Sequence, residues 1–363
     1  MLRPTTLILA LAATLGPSEL RSQAIDTARI RAAYASVTAL RDGIERVHGR
    51  FVAVNGVRMH YLEWGDARGV PLVWAHGSGS RAYEIRALAP RLVQAGYRVL
   101  AVDVRGHGPT RVKDYDWGIY HVADDLVGLL DSLRIPAAVF GGASLGAFHA
   151  AAVYDQYPDR VLGLLMADGG TFSPQWIYDR QTPEQIRRNL PDPLPPITGA
   201  TEFDVFLQLV GHIPPDSLPG RADWMFEMLM RIWPADSGWG FLAGMDRMTT
   251  WGEALLPGLT RPTTLPPPVW SVHAIIPRMV FRDLHVPMMI LDPQDERDVF
   301  PATDQNERLA KDHPDLVIHR IYRPGQHNIL QATPDWFVRD AVALLDEVRK
   351  QPRAPRIPRP RSG

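Results

Sequence analysis

The fold is decided by the stretch VFGGASLGAF, residues 139–148. An apolar run over residues 137–140 predicts a buried strand, and the run over residues 147–157 predicts a helix. Between them lies a G-x-S-x-G pattern from Gly142 to Gly146, which is the layout of a nucleophile elbow. Such a turn strains its central residue, Ser144, and exposes its Oγ beside the first N–H groups of the helix. The alternative is a glycine-rich turn whose serine only caps the helix.

Strand and helix patterns alternate on both sides of this turn. An Asn55-Gly56 hairpin turn joins the first two strands. Alternation of this kind predicts a mostly parallel sheet flanked by helices, with the functional residues at the carboxyl ends of the strands. The predicted strands are residues 50–54, 57–64, 70–75, 98–103, 137–140, 161–167, 286–291 and 316–322. The predicted helices of this region are residues 83–95, 121–133, 147–157, 302–311 and 334–349.

The alternation stops over residues 169–285, which are rich in proline and tryptophan. We interpret this segment as a helical cap inserted after the sixth strand, with an apolar face that covers the strand ends and shapes a pocket. The tryptophans could equally hold together a small helical subdomain. The cap separates a first part of the core, residues 50–168, from a second part, residues 286–350. Residues 351–363 alternate Pro with Arg and are predicted to form a flexible tail.

The N-terminus has the pattern of a secretory signal peptide. Arg3 precedes an apolar stretch that is too short to span a bilayer, and Ser22 and Ala24 supply the small residues that precede a cleavage site. We therefore expect residues 1–24 to be removed and the protein to be exported, periplasmic or secreted. An uncleaved tether and a misassigned start codon are the alternatives. Residues 25–49 follow as a single helix with a narrow apolar seam.

Composition excludes several functional classes. The formal net charge of -1 and the pI near 6.9 argue against a nucleic-acid partner, which calls for a basic surface. The chain has no cysteine, so disulfides, thiolate metal sites and a cysteine nucleophile are excluded. The remaining possibilities are an oxygen nucleophile or none. No feature of the sequence indicates an oligomeric state.

A serine hydroxyl needs a base to accept its proton, and the base needs an acid to orient it. On a sheet of this kind the three residues follow strand ends in the order Ser, Asp, His. Acidic residues occupy 292–298, just past one predicted strand, and His327 follows the last predicted strand. We predict that His327 takes the Ser144 proton and later returns it to the leaving group.

Several carboxylates could orient His327. Asp295 lies where a short turn after the strand delivers its side chain, and it is the preferred candidate, ahead of Asp298 and Glu296. Asp292 can still belong to the strand. Asp168, at the end of the preceding strand, is a further candidate, although an acid there more often has a structural role.

An acyl-transfer intermediate also needs two N–H donors for its oxyanion. The N–H of Leu145, directly after the nucleophile, is the first predicted donor. The second is the N–H of Ser78, in the glycine-containing segment His76-Gly77-Ser78-Gly79 at the end of an earlier strand.

From residue 51 to residue 350 the chain resembles the α/β-hydrolase family. The resemblance implies an eight-stranded sheet, a cap inserted after the sixth strand and the triad above, with Asp103 in a structural loop. At two places the chain departs from the family pattern: Thr110 stands where Ser is frequent, and Asp292-Pro293 where Gly is frequent, which affects the register of the acid. The residues that carry the resemblance are His76-Gly77-Ser78-Gly79, Asp103-Val104-Arg105-Gly106-His107-Gly108, Gly142-Ala143-Ser144-Leu145-Gly146 and Gly325-Gln326-His327-Asn328.

The elbow residue separates branches of this family. Relatives that open epoxides or displace halide carry Asp at the elbow, so Ser144 implies a serine hydrolase, most simply one that cleaves a carboxylic ester. Lactones, peptide bonds and carbon–carbon bonds next to a ketone stay open as alternatives. The tryptophans of the cap favour a small-molecule substrate that is partly apolar or aromatic.

Two other functional classes compete with this interpretation. Residues 77–82 match G-x-G-x-x-A, and Asp103 follows at the spacing of a dinucleotide fingerprint, which would indicate an NAD-linked oxidoreductase. That interpretation leaves Ser144 and His327 without a role. A binding protein with an idle triad is the third possibility. We find no P-loop lysine, H-E-x-x-H or metal-binding histidine spacing, so no cofactor or metal is expected.

Overall fold

The structure is a computed structural model that describes residues 26–173, 182, 184, 197–243, 267–294 and 302–351. The predicted signal peptide, the acidic candidates Asp295, Glu296 and Asp298, and nearly all of the tail lie outside these residues. Export and cleavage of residues 1–24 therefore stay predictions.

An eight-stranded, mostly parallel sheet forms the core, as predicted. In chain order the strands are β1 (Gly49–Val54), β2 (Val57–Trp64), β3 (Val70–Ala75), β4 (Tyr97–Val102), β5 (Ala138–Ala143), β6 (Val161–Ala167), β7 (Met288–Pro293) and β8 (Val317–Tyr322). Their order in the sheet is β1-β2-β4-β3-β5-β6-β7-β8, where β2 runs antiparallel to β4 and all pairs from β4 to β8 are parallel. The Asn55-Gly56 turn has positive φ angles of 42° and 80°, as a two-residue hairpin turn requires.

Helices connect the strands of the sheet, and further helices lie before the first strand and after the last one. The longer helices are α1 (Thr27–His48), α2 (Ala89–Ala95), α3 (Ile119–Ser132), α4 (Leu145–Gln156), α5 (Glu202–Val210), α6 (Ala222–Met230), α7 (Thr303–Asp312) and α8 (Pro334–Lys350). Short helical turns are Ala82–Ile85, Pro158–Arg160, Pro215–Ser217, Pro219–Arg221, Pro267–Trp270, Ser271–Ala274, Pro277–Val280 and Ile329–Ala332. No helix within the described ranges combines the length and apolarity needed to cross a bilayer.

One predicted helix is divided in two. Residues 83–95 form a short turn, Ala82–Ile85, and then α2, which starts at Ala89 and has Pro90 in its first turn. Proline lacks an N–H and is suited to the start of a helix but not to its interior. Pro90 therefore explains why a separate helix starts at Ala89. The prediction of one helix over residues 83–95 relied on apolar periodicity and did not take this proline into account.

The chain divides into two compact units that are interleaved in sequence. One contains residues 50–179 and 266–363, with the sheet apart from its first residue, and the other contains residues 1–49 and 180–265. In this unit α1 is grouped with residues 180–265, while the predicted division into an N-terminal helix, residues 25–49, and a cap, residues 169–285, stays a prediction. Its described part also holds three short antiparallel strands that were not predicted: Thr198–Gly199, Ile232–Pro234 and Trp239–Phe241.

Helix α1 belongs to the second unit because it packs on α5 and α6. The Tyr34 hydroxyl donates a 2.7 Å hydrogen bond to Glu202, and Arg41 donates another of 2.7 Å to the same carboxylate. The Tyr34 ring meets Phe203 edge-on at 5.2 Å. Of the predicted apolar seam, Ile30 and Val37 are buried, whereas Leu40 and Val47 are exposed.

Candidate active site

Strand β5 and helix α4 place Ser144 in a strained turn. The residue has φ 52° and ψ -119°, a conformation that is costly for any residue with a Cβ. The backbone packs so closely in this turn that positions 142 and 146 have no room for a side chain, and glycine occupies both positions. A Cβ on Gly142 or on Gly146 would lie less than 3.0 Å from the Ala75 carbonyl. The geometry is that of the predicted elbow, with Leu145 as the first residue of α4.

The elbow is attached to the end of strand β6. Ala143 pairs with Ala167, and the Ser144 N–H donates a 2.8 Å hydrogen bond to the Ala167 carbonyl. Asp168 directly follows Ala167, so it leaves the sheet beside the elbow. The strand pairing alone therefore brings Ser144 and Asp168 to the same point of the sheet edge.

His327 reaches this point from the loop after β8. The Gly325 N–H donates to the Gln294 carbonyl at 2.9 Å, and the Gln294 N–H donates to the Tyr322 carbonyl at 2.9 Å. These bonds fix the loop against the end of β7. The His327 side chain is 43% exposed.

Among the described residues, Asp168 is the carboxylate that contacts His327. Its Oδ2 lies 2.5 Å from Nδ1 of His327, and its side chain is only 5% exposed. The sequence favours Asp295 for this position and places Asp168 behind it; the hydrogen bond of Asp168 supports Asp168, and the preference for Asp295 stays an untested prediction. Asp295 itself lies outside the described residues, as do Glu296 and Asp298.

The order of the residues could not have distinguished these acids. Asp168 also lies between Ser144 and His327 in the chain and also follows a predicted strand, so it satisfies the same rule as Asp295. The signal that favours Asp168 is the position of β6 next to β5, because neighbouring strands bring their following residues together.

The surroundings of Asp168 work against its charge. Burial raises the pKa of Asp168, the hydrogen bond to His327 lowers it, and the nearby Asp292 raises it further. The net pKa is above the ordinary aspartate value. The hydrogen bond to His327 is thus the main described interaction that keeps this carboxylate ionised, as an acid that orients a base must be.

Two peptide groups lie beside the elbow as candidate oxyanion donors. The Leu145 N–H is at the first turn of α4, where backbone N–H groups have no acceptor within the helix. Gly77 packs against the elbow, since a Cβ on it would be 3.7 Å from Ser144 Cβ. The next N–H belongs to Ser78. The roles of Leu145 and Ser78 as oxyanion donors stay predictions.

His76 fixes the peptide group that joins Gly77 to Ser78. Its Nε2 accepts the Val104 N–H at 3.2 Å, so the ring proton is on Nδ1, which donates to the Gly77 carbonyl at 2.8 Å. Burial lowers the pKa of His76, which keeps this ring neutral. The carbonyl and the N–H of a planar peptide point in opposite directions, so the hydrogen bond to Gly77 also sets the direction of the Ser78 N–H.

Glu84 holds the other side of Gly77. Its two carboxylate oxygens accept the Gly77 N–H at 3.1 Å and the Trp74 indole N–H at 3.0 Å. Since the Gly77 N–H is occupied, Ser78 is the first residue of this segment whose N–H can serve an oxyanion.

Asp103 has a structural role, as the resemblance implies. Its buried carboxylate contacts His60 at 2.7 Å, Arg81 at 3.1 Å and the Ala82 N–H at 2.7 Å. Burial alone would raise the pKa of Asp103, but Arg81 and His60 bring it far below the ordinary value. Because Asp103 has no exposed surface, its carboxylate cannot bind a ribose. Asp103 therefore cannot serve as the acidic residue of a dinucleotide-binding fingerprint.

The described residues contain no group of three or more His, Asp or Glu side chains arranged to hold a metal ion.

Comparisons with known proteins agree with this architecture. A family model described as alpha/beta hydrolase fold matches residues 70–211. Epoxide hydrolase A of Mycobacterium tuberculosis is 41% identical over 102 residues, which cover 27% of this chain and 31% of that protein. A haloalkane dehalogenase of Mycobacterium marinum is 34% identical over 117 residues, which cover 31% of this chain and 39% of that protein. The chain thus spans about a third of the length of these curated relatives.

A solved structure of E-2-(acetamidomethylene)succinate hydrolase superposes over more of the molecule. It covers 82% of this chain and 98% of its own, with a TM-score of 0.56 and 20% sequence identity. At this identity the likeness is one of fold.

Proposed function

We propose that this chain, whose residues 70–211 match the alpha/beta hydrolase fold model, is a serine hydrolase that cleaves a small carboxylic ester or a related acyl bond. The observation that carries the proposal is the 2.5 Å contact between His327 Nδ1 and Asp168 Oδ2, on a strand end bonded to the Ser144 elbow. The proposed triad is therefore Ser144, His327 and Asp168.

The reaction proceeds in two halves. Ser144 Oγ attacks the acyl carbon while His327 Nε2 takes its proton, and the Leu145 and Ser78 N–H groups receive the oxyanion. Collapse of the tetrahedral intermediate breaks the bond to the leaving alcohol, which receives the proton from His327. Water then attacks the acyl-serine with His327 again as the base, and the acid product leaves with Ser144 regenerated. Asp168 holds the Nδ1–H tautomer and stabilises the imidazolium.

Serine at the elbow argues against the activities in the names of the epoxide hydrolase and dehalogenase relatives. A serine that displaces halide or opens an epoxide forms an ether, which water does not cleave under mild conditions. Attack on an acyl carbon forms an ester instead, which the same base can hydrolyse. Ser144 therefore favours acyl transfer.

Two expectations from the sequence complete the proposal. The tryptophans of residues 169–285 favour a substrate that is partly apolar or aromatic, and the pattern of residues 1–24 favours export. Terminal sequencing of the exported protein would support the second if the chain began near Ile25.

The test is the release of p-nitrophenol from p-nitrophenyl butyrate by the parent and by Ser144→Ala and His327→Ala. We expect both variants to lose about 10³-fold or more in kcat at unchanged foldedness. A fluorophosphonate probe should label the parent and fail to label Ser144→Ala. Turnover that survives both substitutions, or a parent that neither cleaves the ester nor takes the label, contradicts the proposal.

A further inference from the structure

A second carboxylate–imidazole pair lies beside the site. Asp292, in strand β7, is 2% exposed, and its Oδ2 lies 2.8 Å from Nε2 of His319 in β8. In the register of these strands Ile290 pairs with His319, and Asp292 pairs with Ile321. Side chains two residues apart share a face of a strand, so Asp292 and His319 are diagonal neighbours on one face of the sheet.

Asp292 also lies next to Asp168. The Asp168 N–H donates a 3.0 Å hydrogen bond to the carbonyl of Leu291, the residue before Asp292. The ends of the parallel strands β6 and β7 therefore hold two buried carboxylates side by side. Burial raises the pKa of Asp168 and His327 lowers it. Asp292 also acts on this pKa and raises it.

We infer that Asp292 and His319 are a positioning pair for the triad: His319 holds the Asp292 charge beside Asp168, where it strengthens His327 as a base. The inference rests on the proposed function. As Ser144 gives up its proton, His327 becomes a cation, and a second nearby anion stabilises that cation in a site of low dielectric. The N–H of His319 offsets the cost of burying this second anion.

Few other charged groups lie around the pair in the part of the chain that the structure describes. Among the described residues, Asp168 is faced by His327 and Asp292. Arg320 pairs at 3.6 Å with Asp340 of α8 and alternates with His319 along β8, so it lies on the opposite face. Helix α7 packs on β7 and β8, and its charged side chains are exposed or near the surface: Asp304, Glu307, Arg308, Lys311 and Asp312.

The test is the pH profile of kcat/KM for p-nitrophenyl butyrate, from about pH 5 to about pH 9, whose acidic midpoint reports protonation of the base. Asp292→Asn keeps the shape and removes the charge, so we expect the midpoint to fall by about 0.5 pH unit or more. Asp340→Asn is the matched control. It removes the charge of another buried carboxylate, 1% exposed, which accepts a 2.8 Å hydrogen bond from the Tyr322 hydroxyl. We expect this control to leave the midpoint unchanged.

Variants of His319 test the pair from the other side. His319→Leu takes away the donor that holds the charge on buried Asp292, so the midpoint should fall towards that of Asp292→Asn. His319→Gln restores an N–H donor and should bring the midpoint back towards the parent. A midpoint that is the same in Asp292→Asn, His319→Leu and the parent overturns the inference while the proposed function stands. A parent with no turnover and no fluorophosphonate labelling overturns both.

Discussion

Asp168 is buried and faces a second carboxylate, Asp292, as well as the imidazole of His327. Its pKa is raised in the folded protein, so the fold binds the Asp168 proton more tightly than the unfolded chain does. The stability that this proton provides is present below the ordinary aspartate pKa and is lost as the pH rises to the raised value. At neutral pH the ionised residue therefore costs stability while it serves the base.

Asp168→Asn should separate these two effects. The amide cannot hold His327 in the required tautomer, so we expect kcat to fall about 10³- to 10⁴-fold. The melting temperature at neutral pH should be unchanged or higher, because a buried charge has been removed. Thermal melts and ester turnover on the same preparation measure both. Asp295→Asn is the comparison: if it lost activity on that scale while Asp168→Asn did not, Asp295 would be the acid.

At the level of single residues, sequence patterns indicate a nucleophile and a base but leave several candidates for the acid. Ser144 lies in a turn whose glycines are recognisable, and His327 follows the last strand. The acid depends on which strands are neighbours, and several carboxylates satisfied the same order along the chain. Only the hydrogen bond to His327 distinguishes Asp168.

The elbow depends on how closely strand β3 approaches helix α4. A Cβ on Gly146 would lie well within contact distance of the backbone at Ala75 and His76, which cannot move without moving the oxyanion segment. We expect Gly146→Ala to reduce the free energy of unfolding by about 1–3 kcal/mol and to lower ester turnover. Urea denaturation of the variant and the parent measures the first effect.

A glycine in another helix supplies the control. Gly43 lies within α1, and a Cβ there would meet only the end of the Arg46 side chain, at 3.9 Å. Gly43→Ala should therefore stabilise the protein by about 0.5–1 kcal/mol through helix propensity. If both alanines destabilised to the same degree, steric exclusion at the elbow would not be the cause.

At the level of elements, long periodic segments were predicted and short or non-local ones were not. All eight strands of the large sheet were found within a few residues, because buried parallel strands are continuous apolar runs. The strands Thr198–Gly199 and Trp239–Phe241 are too short to show a period of two. The docking of α1 on α5 was equally invisible, since it depends on contacts such as Tyr34 with Glu202.

On the scale of the whole molecule, the two units predict an unusual pattern of local stability. Helix α1 shares a unit with α5 and α6, although the sequence between them belongs to the other unit. Contiguous structural units tend to open cooperatively. We therefore expect the backbone amides of α1, α5 and α6 to be protected from hydrogen exchange to a similar degree. Their protection should differ from that of the amides in strands β3, β5 and β6.

Glu202→Ala tests whether α1 and the inserted helices are coupled. Glu202 is 11% exposed and accepts hydrogen bonds from Tyr34 and Arg41, so its loss leaves a half-buried hydroxyl and guanidinium without their acceptor. Exchange should accelerate about tenfold or more in α1 and α5 together, with β3, β5 and β6 unchanged. Asp216→Ala is the control, because that carboxylate is 95% exposed in its ion pair with Arg29 and surface pairs contribute little. Acceleration of α5 without α1 would show that the two helices open separately, and that α1 is not part of the unit that the inserted segment forms.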